Sequence, residues 1–157
     1  MQTQTDNQLH LTCIKTLLAA YSQFDERIKY NEKLIKRTID ASFSSFMNVE
    51  TVVDRILDRI IRKEKLISLK NKIENLINSL PCNYGQIIRM HFIEKLTTPQ
   101  IAEKKELTTR TVFRQINDGL DHCVRKMKNF GLDIMQFTEL LSKFKWIENV
   151  YISQTCQ

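Results

Sequence analysis

At 157 residues the chain has room for one domain, or for a small domain with a helical extension. Apolar residues make up 42%, enough for a core, whereas 3 Gly and 2 Pro are too few for an all-β fold, and an all-α class is expected. The net charge of +6 suits an anionic partner.

The first helical pattern runs from about Asn7 to Asp40. Ile14, Leu17, Leu18, Tyr21, Phe24, Ile28, Ile35 and Ile39 recur at three- and four-residue steps and make one apolar face. Ala41–Asn48 then reads as a connector, with Phe43 and Phe46 expected to pack on a neighbour. Asn48 can cap a second, longer helix. In it Val49, Val53, Ile56 and Ile60 form one stripe and Leu66, Leu69, Ile73, Leu76 and Leu80 another, with Lys63 and Glu64 shifting the phase between them. Two arrangements use these stripes: a hairpin with the first helix, and self-association of the long helices into a homodimer. Pro81 ends the second helix.

Shorter helices follow. Asn83 with Gln86 has capping-box spacing and opens a helix to about Lys95. Thr98 before Pro99 fits a cap and first helical residue, with Ile101 and Ala102 inward. Thr108 caps the next helix, whose Val112, Ile116, Leu120, Val124 and Met127 form one stripe before Gly131 stops it. Asp133 with Gln136 caps a last amphipathic helix through roughly Glu148, docked by Phe144, Trp146 and Ile147.

Thr97–Gly131 has the layout of a helix-turn-helix: a short support helix, a tight turn and a second helix with one buried and one exposed face. Ala102 permits close crossing, Leu107 plugs the turn, and Val112 and Ile116 anchor the second helix. Thr109, Arg110, Phe113, Arg114 and Asn117 are left outward, a set suited to base edges in a major groove: Arg donates twice to guanine, Asn pairs with adenine, and Thr or Phe touches a thymine methyl. Phe113 has a second use, packing on a neighbouring helix. Thr108 at the helix start and Lys104, Lys105, Lys126 and Lys128 are the expected phosphate contacts. The segment carries seven Lys/Arg against four Asp/Glu, so half of the net charge sits in under a quarter of the chain.

Little else suggests chemistry. His10, His91 and His122 are isolated, and the His122–Cys123 neighbours lack a second ligand pair, so no metal, cofactor or catalytic residue is expected. Asp54 and Asp58 sit among Arg55, Arg59 and Arg62 as a solvated helix face. Cys13, Cys82, Cys123 and Cys156 have no paired spacing, which suits reduced thiols in a cytoplasmic protein. No apolar run approaches membrane-span length, and Met1–His10 lacks the layout of a signal peptide.

The stretch Leu76–Met127 also resembles the fourth conserved region of bacterial sigma factors. The shared pattern is the leucine-proline of "INSLP", an apolar helix ending in "FIEKLT", then "IA", a threonine cap, "TV" and a basic helical tail. With "VVDRILDRIIRKEKLISLKNKIENLI" ahead of it, the chain is similar to the small ArpU/RinA-like regulators of phages and mobile elements. It departs from the pattern at Lys105-Glu106, where the family has Leu-Gly, and at the outward Phe113. The resemblance implies a helical N-terminal region over 1–80 for dimerisation or partner binding, a DNA-binding domain over 81–131, and a C-terminal helix and tail over 132–157. The function expected is sequence-specific binding of double-stranded DNA in transcription regulation, without enzyme activity. The alternative is a sigma-like adaptor that acts mainly through protein contacts with RNA polymerase.

Overall fold

The computed structural model describes residues 2–43, 46 and 48–155, and no strand occurs among them. Its helices are α1 (Gln2–Ala20), α2 (Phe24–Ser42), α3 (Val49–Asn78), α4 (Cys82–Ile88), α5 (Thr98–Lys105), α6 (Thr109–Lys126), α7 (Ile134–Lys143) and α8 (Lys145–Thr155). The fold is thus all-α, with long N-terminal helices, a helix-turn-helix and a helical C-terminal end.

The first apolar stripe is two helices rather than one, separated by a 3₁₀ turn at Tyr21–Gln23. Partners from elsewhere in the chain hold that break. The Lys95 ammonium donates to the Ala19 carbonyl at 3.0 Å, and the Tyr21 hydroxyl donates to the Glu74 carboxylate. Apolar steps of three residues suit a 3₁₀ turn as well as an α turn, so spacing alone does not reveal the interruption.

Contacts gather the chain into two units, Met1–Tyr21 with Lys72–Gln157, and Ser22–Asn71. The expected division at 80/81 and 131/132 does not describe this packing. In the first unit α1 lies against α6, α7 and α8 because Cys13, Ile14, Leu17, Leu18 and Ala20 are all buried. The helix-turn-helix therefore shares its core with the N-terminal helix. Ile73, Leu76 and Ile77 of α3, with Ile87 and Ile88 of α4, complete that core. Arg89 fastens the end of α3 to the next segment by donating to Glu74 Oε1 at 2.5 Å and to Asn78 Oδ1 at 2.8 Å.

Several element ends differ from expectation. Pro81, not Asn83, is the cap position of α4, and it supplies no side-chain bond. Gln86 instead accepts from Lys105 Nζ and donates to Cys82 Sγ at 3.4 Å. α4 runs directly into a π turn, Arg89–Ile93, where the Glu94 N–H reaches back five residues to the Arg89 carbonyl at 2.9 Å. The cap of α5 is Thr97 rather than Thr98, which places Pro99 at the second helical position. The Thr97 N–H donates to Gln100 Oε1 at 2.8 Å, the return half of a capping box. Asp133 caps as expected, accepting from the Gln136 N–H at 2.8 Å. The helix it opens stops at Lys143, and α8 then carries the chain to Thr155. Phe144 leaves helical geometry at φ −124° and ψ 88°, and Phe144 and Ile147 are both buried as they dock the end of the chain.

The second unit is an antiparallel pair. Asn48 opens α3 through a bond from the Glu50 N–H to its Oδ1 at 3.0 Å. From there the partners run in opposite senses: Arg59 Nη1 donates to the Leu34 carbonyl at 2.7 Å, Lys63 lies 3.8 Å from Glu32, and Lys70 lies 2.5 Å from Asp25. This is the hairpin alternative for the long helices. Phe43 and Phe46 do not pack as expected; both are exposed.

Candidate nucleic-acid interface

The site is built on two helix ends meeting at a turn. α5 buries Ile101 and Ala102 and packs against α6. Glu106 ends α5 in the left-handed region, φ 54° and ψ 40°. That geometry lets the Leu107 N–H reach the Ala102 carbonyl at 2.9 Å, a Schellman closure that turns the chain in one residue. Leu107, half-buried, follows in the turn.

Thr108 then caps α6, accepting from the Thr111 N–H at 3.2 Å, and its hydroxyl lies 2.8 Å from that of Thr111. α6 buries Val112, Ile116, Gly119, Leu120 and Cys123 on one face. Val124 was expected in this stripe, but it is only half-buried, and Cys123 takes the core position. The reason is phase: Ile116, Leu120 and Cys123 step by four and three, and 123 continues that face more closely than 124.

The opposite face brings the expected reading set together. Thr109, Arg110, Arg114 and Asn117 are exposed, and Phe113 is 62% exposed. Phe113 does not pack on a neighbouring helix of this chain. Arg110, Thr111, Phe113, Arg114 and Asn117 line one shallow cleft. Thr111 was not among the expected readers, although its spacing from the Thr108 cap was a signal for it. Among the described residues, no hydrogen bond or ion pair occupies the side chains of Thr109, Arg110, Arg114 or Asn117. Among the described residues these four polar side chains thus face outward without a partner in the chain.

The five expected phosphate residues do not form one group. Thr108, Lys104 and Lys105 flank the turn at the start of α6, where Lys104 is 3.5 Å from Glu94 and Lys105 donates to Gln86. Lys126 and Lys128 belong to the far end, roughly 24–27 Å from Arg110 at 1.5 Å per residue. Lys126 is also committed, its ammonium donating to the Ser79 carbonyl just beyond α3. Lys128 borders a separate depression with Asp6, His10 and Arg125. Between the two ends, the exposed Asp121 brings a negative charge to the side of the helix that carries Arg110 and Arg114.

Among the described residues, no three His, Cys, Asp or Glu side chains group as metal ligands. His122 stacks beside Tyr84, ring centroids 5.2 Å apart, and burial pushes the Cys123 thiol up to about 12 against the pull of Lys126. Burial likewise raises Cys13 to about 11. Both thiols are fully buried and protonated, unsuited to nucleophilic or ligand roles. No helix among the described residues is long and apolar enough to cross a membrane.

No curated protein and no solved structure matches the chain. Residues 70–123, from the end of α3 through the turn into most of α6, match the family model of sigma-70, region 4.

Proposed function

We propose that this protein is a sequence-specific DNA-binding transcription regulator of phage or mobile-element type, with the N-terminal half of α6 in the major groove. The observation that carries the reading is the uncommitted, outward set Thr109, Arg110, Phe113, Arg114 and Asn117 on the second helix of a helix-turn-helix. Arg110 and Arg114 supply bidentate donors for guanine, Asn117 the pair for adenine, and Phe113 an apolar contact for a thymine methyl. The Thr108 cap, with Lys104 and Lys105 beside it, holds the phosphate backbone at the entry to the groove. The match to sigma-70, region 4 over the same helices supports this orientation.

Selection of bound sites from a random duplex pool, followed by footprinting, tests the reading. Arg110→Ala and Arg114→Ala should each weaken binding to the selected site by about 1–3 kcal/mol and relax one base preference, with helicity unchanged. Unaltered affinity and base preference in both variants would overturn it. Recovery of RNA polymerase in a pull-down, with no footprint on any selected duplex, would favour the adaptor alternative.

A further inference from the structure

The exposed face of α6 carries one charge of the wrong sign for DNA. At about 100° per residue, Arg110, Arg114, Asn117, Asp121 and Arg125 fall within about 80° of one another around the helix, and all of them are exposed. Lys128, also exposed, follows in the 3₁₀ turn. Apart from Asp121, the face is a polar and basic stripe about 27 Å long. Among the described residues, neither the Asp121 nor the Arg125 side chain has a hydrogen bond or ion pair. Asp four residues ahead of Arg is the favourable order for a helical pair, yet the two are not joined. Asp121 thus turns its charge outward instead of neutralising a neighbour.

Arg110 to Asn117 spans about 10.5 Å at 1.5 Å per residue, close to the roughly 12 Å width of a major groove. That set alone fills the groove. Asp121 stands one turn further on, about 6 Å beyond Asn117, level with the phosphates that border the groove. Two poses of α6 compete for the duplex. In the reading pose, base contacts hold the first turns deep and the far end of the helix is tilted clear. In the flat pose, α6 lies across groove and rim, base contacts are given up, and Arg125 and Lys128 reach phosphates. The flat pose needs no particular sequence, because backbone charge alone holds it. Asp121 is the side chain that meets the phosphate rim there, and like charges so placed repel.

We infer that Asp121 is a specificity-determining residue that acts by repulsion: it excludes the flat, sequence-independent pose and so widens the gap between a cognate site and other duplex. The inference rests on the DNA reading and adds to it a residue that touches no base. Arg125 is the cation that Asp121 keeps off the backbone, since it stands on the same stripe one turn beyond and is committed to no partner in the chain.

Binding of the full chain to its selected duplex and to a duplex of scrambled sequence, each titrated against salt, provides the test. Asp121→Asn should tighten binding to the scrambled duplex roughly fivefold and steepen its salt slope by about 0.9, the share of one added phosphate contact. Affinity for the selected site should change by less than about twofold, because the reading pose keeps Asp121 clear. Arg125→Ala in the same chain should abolish the gain on scrambled duplex. A gain equal on both duplexes, or one that survives Arg125→Ala, is the change in net charge alone and would overturn the inference. So would no gain at all. A new base preference in a fresh selection with Asp121→Asn would also overturn it, by making Asp121 a reader of cytosine. A wild-type chain that selects no duplex removes the DNA reading itself, and this inference with it.

Discussion

Glu106 decides how sharply α5 passes into α6, and its backbone is strained for a residue with a Cβ. At φ 54° it occupies the left-handed region, where side-chain and carbonyl contacts disfavour L-residues. The turn still needs that conformation, because only there do the Leu107 and Glu106 N–H groups meet the last carbonyls of α5, at 2.9 and 3.2 Å. Glu106→Gly relieves the strain but gives the unfolded chain more freedom, so the two effects partly cancel. The expected net is a gain of a fraction of a kcal/mol to about 1, read as a higher urea midpoint at unchanged slope. A lower midpoint would mean that the Glu106 side chain contributes more than its backbone loses. This residue was legible before the fold was known, since a helix-turn-helix with Lys105-Glu106 in place of Leu-Gly must carry its left-handed residue at one of them. The one-residue shift of the α5 cap from Thr98 to Thr97 was not legible, because both are threonines and Pro99 suits the first or the second helical position.

At the scale of elements, the seat of α6 on α4 depends on the absence of one side chain. Gly119 is buried in the interior of α6, a place where glycine ordinarily destabilises a helix by about 1 kcal/mol relative to alanine. A Cβ there would lie 3.0 Å from Ile88 Cγ1, 3.3 Å from its Cδ1 and 3.5 Å from Tyr84 Cβ. Ile88 is fully buried, so it can give way only by displacing its own neighbours, and the crowding is expected to outweigh the propensity gain. Gly119→Ala should therefore lower the thermal midpoint, and Ile88→Val in the same chain should recover part of the loss. A higher midpoint for the single variant would show that α4 can move away. Elements whose starts are set by their own side chains were read correctly from sequence, as at the Thr108, Asp133 and Asn48 caps, whereas α6 ends at Lys126 and Gly131 closes a separate 3₁₀ turn over Met127–Phe130. Elements ended by distant partners were not. The division of α1 from α2 is held by Lys95 and by Glu74, each more than fifty residues away, and the stop at Phe144 follows from burying Phe144 and Ile147 together, with no Pro or Gly to announce it.

Across the whole molecule, a concentration of positive charge over Thr97–Gly131 was plain in the sequence, but which cations remain available to DNA depends on folding. Lys126 is spent on the Ser79 carbonyl, while Lys104 keeps an exposed side chain whose ion pair is with the similarly exposed Glu94. Exposed ion pairs of that kind are worth little and give way to a stronger anion. A phosphate at the start of α6 can thus recruit Lys104 at small cost. Recruiting Lys126 would open a part-buried contact at the end of α3, and Asp121 would repel the same backbone on the way. In a titration of specific binding against salt, Lys104→Ala should reduce the slope of log K on log salt by about 0.9, the share of one released counterion. Lys126→Ala should leave that slope unchanged and lower the stability of the free protein by about 1 kcal/mol, the worth of a charge-assisted bond that is only partly shielded from water. If Lys126→Ala reduces the slope as much as Lys104→Ala does, the basic end of α6 lies on the backbone. The helix then runs along the groove over its full length instead of entering by its first turns.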